Sequence, residues 1–156
     1  MPDGTPMTDA PQALPAAPTA PGEWTLMQIQ AKLSRPLPPE LLDEKKVQGQ
    51  TIVYLSWPTI ADILDKYAPG WGWDIETSFS PDRIFVMGRL SIPTADGVVT
   101  RSATGTETLK REKLDRSTGT ITECEHAFGD PSSNAESMAL RRCAAKFGLG
   151  RYLWKK

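Results

Sequence analysis

This chain of 156 residues carries little of what enzymes use for chemistry: a single histidine, His126, and two cysteines, Cys124 and Cys143. Two cysteines cannot build the disulfide framework of a small secreted domain, so a reducing, intracellular setting is expected. One histidine with no nucleophile paired to it leaves acid–base and covalent catalysis without a constellation. Cys124, His126 and Cys143 would supply only part of a zinc site, C-x-H is not a usual close ligand pair, and a fourth ligand is missing, so neither metal nor cofactor is expected. No window reaches the roughly 18 to 20 apolar residues of a membrane span, and the N-terminus lacks the basic flank and apolar core of a signal peptide. The expectation is a soluble, cytoplasmic protein with no membrane partner. Gly70-Trp71-Gly72 is too short and wrongly surrounded for a phosphate-binding glycine loop, which leaves nucleotide binding unsupported.

Net charge is also nearly absent, at -1, but the charges are unevenly placed, and a polyanion responds to local excess rather than to the total. Residues 1–23 contain Asp3, Asp9 and Glu23 and no basic side chain. Residues 132–156 contain Arg141, Arg142, Lys146, Arg151, Lys155 and Lys156 against Glu136 alone. A weaker cluster lies at 101–116, where Lys110, Arg111, Lys113 and Arg116 are interrupted by Glu112 and Asp115.

Six prolines and few sizeable apolar groups make residues 1–23 a disordered tail, and residues 24–156 a single domain. Thr25 caps a short helix carrying Leu26, Ile29 and Leu33, and Pro36, Pro38 and Pro39 end it. A β-branched run, Thr51 to Leu55, precedes a helix opened by Ser56-Trp57-Pro58 with Ile60, Ile63, Leu64 and Tyr67 on one face. Strands follow at 72–80, 83–92 and 98–109, separated by Pro81-Asp82 and Ala95-Asp96-Gly97. Residues 110–131 read as a long polar loop or small insertion. The last helix starts at Ser133, which forms an S-x-x-E capping box with Glu136, and runs to Phe147-Gly148. This order describes an α+β domain, an antiparallel β-meander with packed helices. Trp57, Trp71 and Trp73 are read as packing residues.

On the final helix Leu140, Cys143 and Phe147 share a core sector, with Arg142 and Lys146 four apart beside it and Arg141 on the other flank. An ordinary solvated face explains such residues in most helices; the scarcity of acidic partners is what raises a binding role. Lys45 and Lys46 lie ahead of the first strand, near Tyr54. An aromatic among basic groups stacks a base in some binders and serves as core or interface in more.

The segment His126-Ala127-Phe128-Gly129-Asp130-Pro131, followed by Asn134-Ala135-Glu136-Ser137-Met138-Ala139-Leu140-Arg141-Arg142-Cys143-Ala144-Ala145-Lys146-Phe147-Gly148-Leu149-Gly150, resembles the final core helix of the Rad52-type single-strand annealing superfamily. It is most similar to that superfamily's bacterial DNA damage response branch. The resemblance covers about residues 24–154 and implies a β-β-β-α core, a homo-oligomeric ring, and a groove holding single-stranded DNA by its backbone with the bases exposed. By position it assigns DNA contact to Arg141 and Arg142 on the helix, and to Lys45 or Lys46 and to Tyr54 near the first strand; Lys146, on the basic side of the helix, is a further candidate. Arg83 and one of Lys110, Arg111 or Lys113 match less closely, because residues 110–131 are longer than the family pattern. Ala145 stands where some members place a further arginine, and Lys146 is offset from it by one residue, about 100° around the helix. A C-terminal segment that recruits repair-protein partners is expected to be missing or removed.

A metal-dependent nuclease is the rival reading, with Asp74, Glu76 and Asp82 as its carboxylates. The acidic-x-Lys element such a site needs on the next strand is instead found earlier, at Asp43-x-Lys45 and Glu44-x-Lys46.

Overall fold

The computed structural model describes residues 16–125 and 130–154. Thr25 caps α1 (Leu26–Leu33) reciprocally: its hydroxyl accepts from the Gln28 N–H at 3.2 Å, and the Gln28 side chain accepts from the Thr25 N–H at 2.9 Å. Two amide donors that a helix start leaves unpaired are thereby satisfied, and Ile29 and Leu33 turn into the core. The chain ahead of α1 is anchored too. Pro18 is buried, and Thr19 donates to the Glu23 carboxylate from both its N–H and its hydroxyl. The expected tail therefore gives up its last residues to the fold, while residues 1–15 lie outside the described residues.

Lys45 and Lys46 do not precede the first strand but lie within it. β1 (Asp43–Val47) pairs antiparallel with β2 (Gln50–Tyr54), register Lys45 to Ile52 and Val47 to Gln50. Gln48 and Gly49 form the two-residue turn at φ 52° and 80°, the left-handed pair that a type I′ hairpin requires. A run of four charged residues, Asp43 to Lys46, hides this strand because both of its faces are exposed and no apolar alternation marks it.

α2 (Trp57–Tyr67) buries Ile60 and Leu64, with Ile63 and Tyr67 at the margin of the same cluster. The Trp24 and Tyr67 rings stack at 6.2 Å, which joins the chain before α1 to α2. Trp57 departs from the packing role expected of it and is exposed; Trp71 and Trp73 do pack on the core.

The meander is a three-stranded antiparallel sheet of order β3 (Gly72–Phe79), β4 (Arg83–Thr94), β5 (Gly97–Thr108). β4 alternates cleanly: Ile84, Val86, Leu90 and Ile92 are buried, while Phe85 and Met87 face outward. One sheet face is thus covered and the other open. The cover is α3 (Pro131–Lys146), whose Ala135 and Ala139 join Ile84 and Val86 in one cluster and whose Leu140, Cys143 and Ala144 enter the main core beside Phe147. Gly105 permits this approach, since a β-carbon there would collide with the Ala135 carbonyl oxygen.

Two expectations change in this half. α3 begins at Pro131 rather than Ser133, because the Asp130 carboxylate accepts from the Ser133 N–H at 2.7 Å and Pro131 brings a preset φ and no amide to satisfy. Glu136, released from a capping box, accepts from the Trp73 indole N–H at 2.9 Å and ties α3 to β3. Residues 110–125, expected as loop, form a hairpin of β6 (Lys110–Asp115) and β7 (Thr120–Glu125). The side chains described on these strands are exposed and show no buried face, although Leu114 and Ile121 pair directly across the hairpin.

Candidate nucleic-acid interface

The first hairpin and α3 meet at Tyr54. Its ring is 5.1 Å from the Lys45 ammonium and 5.6 Å from the Arg141 guanidinium, both within cation–π range. Lys45 and Tyr54 share a face of the hairpin because strand side chains alternate, and Lys46, one residue along, points to the opposite face beside Thr51. Tyr54 is half-buried, so its ring orients two cations rather than standing free. Around them runs a groove of about 220 Å³, floored by Leu55, Ile60 and Leu149 and flanked by Arg141, Arg142 and Trp154.

Arg141 and Arg142 are neighbours in sequence, yet a 100° step around the helix gives them different surroundings. Arg141 is half-buried against Tyr54. Burial pulls its pKa down, with Tyr54 opposing that fall and Arg142 adding to it. An arginine stays charged regardless, so a partly dehydrated cation faces the groove without a carboxylate among the described residues. Arg142 turns toward the sheet edge and donates to the Thr104 carbonyl at 2.8 Å. Lys146, one helical turn on, donates to the Ser102 carbonyl. β5 is the edge strand on that side, so two positive side chains occupy backbone acceptors that a further strand would otherwise pair with. Ser102 and Thr104 are two strand residues apart, which spaces these cations by about 7 Å along a straight edge.

Two shallower depressions continue the groove past Trp154, one lined by Arg142 and Lys146 and the next by Arg101, Lys146 and Arg151. Along the whole run stand Lys45, Arg101, Arg141, Arg142, Lys146 and Arg151, and among the described residues no Asp or Glu lines any part of it.

The pattern of the Rad52/22 family double-strand break repair protein matches residues 25–156, from the α1 cap through every element of the groove. The chain belongs to the Rad52/22 family. It is 27% identical over 132 residues to DNA repair RAD52-like protein 1, mitochondrial, of Arabidopsis thaliana, across 83% of this chain and 67% of that protein. With DNA repair RAD52-like protein 2, chloroplastic, of the same species it shares 30% identity over 134 residues, 83% of this chain and 60% of the relative. The chain thus spans about two thirds or less of the lengths of these Rad52/22 relatives. No solved structure matches it.

Of the candidate positions marked in the sequence, the structure gathers Lys45, Tyr54, Arg141, Arg142 and Lys146 along one surface and leaves the others elsewhere. Lys46 is exposed on the far face of the hairpin. Arg83 extends from the open sheet face, where its Nη1 is buried without a hydrogen-bond partner among the described residues. Lys110 and Arg111 begin the β6–β7 hairpin, and Lys110 does not line the groove. The Arg111 side chain, like His126, Lys155 and Lys156, lies outside what the structure describes.

Three residues on this surface escaped the sequence reading. Arg101 sits 4.6 Å over the Phe147 ring and donates to the Gln30 side chain at 2.8 Å and to the Lys146 carbonyl. Arg151 donates to the Ala145 and Lys146 carbonyls at 2.7 and 2.8 Å, satisfying acceptors that a helix C-terminus leaves open. The sign of that role was legible in an arginine just beyond Gly148-Leu149-Gly150, whose glycines take φ of 107° and 69° to end α3. Nothing in the sequence around Trp154 assigns it a role.

The carboxylates of the nuclease reading are not assembled. Asp74 and Glu76 both pair with Arg89, at 3.3 and 3.1 Å, on the open sheet face, and Asp82 accepts from the Ser80 hydroxyl in the β3–β4 turn. No group of three or more His, Cys, Asp or Glu side chains converges among the described residues. Cys143 is buried with its thiol against the Gly88 and Arg101 carbonyls, and burial raises its pKa.

Proposed function

We propose that this Rad52/22 family chain binds single-stranded DNA by its phosphates, as a homo-oligomeric ring, and protects or anneals the strand during DNA repair without a covalent step of its own. The observation that carries this is the continuous surface from Lys45 to Arg151, lined by six cations and, among the described residues, by no carboxylate. Positive side chains facing a polyanion release condensed counterions, and phosphates are common to every sequence, so such a surface supplies affinity without base readout. Arg141 supports the reading most strongly: a half-buried cation with no carboxylate gains more from an incoming phosphate than a fully hydrated one does. The 134–150 segment further supports a place beside bacterial DNA damage response protein A. On this reading the protein works at exposed 3′ ends, in the cytoplasm and on the nucleoid.

Labelled oligonucleotides of unrelated sequence, single- and double-stranded, incubated with and without Mg²⁺ or Mn²⁺, test the reading. Salt-sensitive binding of single strands with intact product is expected, together with protection against an added exonuclease or faster annealing of complementary strands. Metal-dependent cleavage that is lost in Asp74→Asn, Glu76→Gln or Asp82→Asn would replace it with the nuclease reading.

A further inference from the structure

Two tryptophans are strongly exposed, Trp57 at 57% and Trp154 at 52%. The remaining three are accounted for: Trp24 is buried on Tyr67, and the indole N–H groups of Trp71 and Trp73 donate to Asp65 and Glu136. Trp57 lines none of the basic depressions. Trp154 lines all three, at the junction between the Lys45–Tyr54–Arg141 groove and the Arg142, Lys146 and Arg151 surface. Its indole N–H makes no hydrogen bond among the described residues, and its position is held from beneath: the Leu153 N–H donates to the Gly150 carbonyl at 3.0 Å, in a 3-10 turn, Arg151–Trp154, that Arg151 fastens to the end of α3.

An aromatic face in water, fixed to the scaffold and ringed by cations without a carboxylate, matches a ligand that alternates anionic groups with flat apolar ones. Among macromolecules that description fits a single strand of nucleic acid, whose bases are free to stack because they are not paired. Tyr54 does not offer the same face, since Lys45 and Arg141 lie against its ring. We propose that Trp154 is a base-stacking platform, holding one nucleobase between phosphates bound by Arg141 and Arg142 on one side and by Lys146 on the other. This rests on the single-strand reading and adds to it a contact with the bases.

The test compares wild type, Trp154→Ala and Trp154→Phe binding to oligo(dT) and to an abasic strand of the same length, by fluorescence anisotropy over a salt series. Trp154→Ala should bind oligo(dT) roughly 5- to 150-fold more weakly, the range that removal of one stacked base contact produces. Its affinity for the abasic strand and its salt slope should match wild type, and Trp154→Phe should recover part of the loss. If Trp154→Ala binds oligo(dT) as wild type does, weakens both strands equally, or changes the assembly or melting temperature, then Trp154 is a surface or subunit-contact residue and the proposal is wrong. Wild type failing to bind either strand would instead overturn the single-strand reading itself, and this proposal with it.

Discussion

Arg141 and Arg142 differ in what they touch, and their alanine variants should separate accordingly. Among the described residues Arg141 makes no hydrogen bond or ion pair and lies 5.6 Å from the Tyr54 ring, a contact worth about 0.5–1 kcal/mol at a partly exposed site. Arg142 holds the Thr104 carbonyl at 2.8 Å, a charged hydrogen bond whose contribution falls to about 1 kcal/mol once its exposure is discounted. For DNA the two should behave alike. Each phosphate contact contributes about -0.7 to the slope of log affinity against log salt for a single strand, so a tenfold rise in salt costs wild type roughly fivefold more affinity than a variant lacking one contact. Anisotropy of labelled oligo(dT) at several salt concentrations should therefore show both variants with slopes shallower by about 0.7 per subunit contact, and with losses equal across sequences. Thermal melts should separate them, with Arg141→Ala close to wild type and Arg142→Ala lower. Wild-type slopes in both variants would refute phosphate contact by this surface. A large melting loss in Arg141→Ala would show that its role is to hold the hairpin on α3.

Four further outcomes follow from the packing and electrostatics. Gly105→Ala should be far more damaging than its size suggests, about 1–3 kcal/mol or more by urea titration, because the new methyl meets the Ala135 carbonyl; a wild-type midpoint would contradict the sheet–helix contact. Gln48→Asn should raise the melting temperature, since asparagine relieves part of the roughly 1–2 kcal/mol that a left-handed conformation costs most residues; a decrease would argue against the type I′ turn. The Asp130 carboxyl is held below its ordinary pKa by the Ser132 hydroxyl and then the Ser133 N–H, so its contribution is present above the ordinary carboxylate range and lost as pH falls through the lowered value. Asp130→Asn keeps a capping oxygen and should flatten that acid limb of the melting curve, an effect that an unchanged pH profile would rule out. Light scattering at micromolar concentration should give a multiple of the monomer mass; a stable monomer would remove the ring.

Where a segment buries one face, its residues announced it. Ile60 and Leu64 on α2, and Leu140 and Cys143 on α3 with Phe147 at its C-cap, lie where their periodicity placed them, and β4 covers the stretch read as a strand. Strand β1 and the β6–β7 hairpin carry no such mark: β1 and β6 expose the side chains described on them, so no hydrophobic period exists to be read, whereas the β-branched run of β2 is legible from composition. The start of α3 went astray because two acceptable caps stood three residues apart, Asp130 and Ser133, and only the folded chain shows that Pro131 continues the helix of the first. For the interface, sequence proximity to a strand suggested Lys45 and Lys46 equally, and the pleat separated them. Arg101 and Trp154 lay beyond reach, because their place depends on β5 and the chain end meeting at the terminus of α3, a contact of long sequence separation.

If a single strand runs along the basic surface from Lys45 past Trp154 to Arg151, an electron cryomicroscopy map of the protein with bound oligo(dT) will show it there. Density for the sugar–phosphate chain is expected against Arg141, Arg142 and Lys146 in every subunit. A strand lying instead on the open sheet face by Phe85 and Met87, or along the β6–β7 hairpin, would contradict this path.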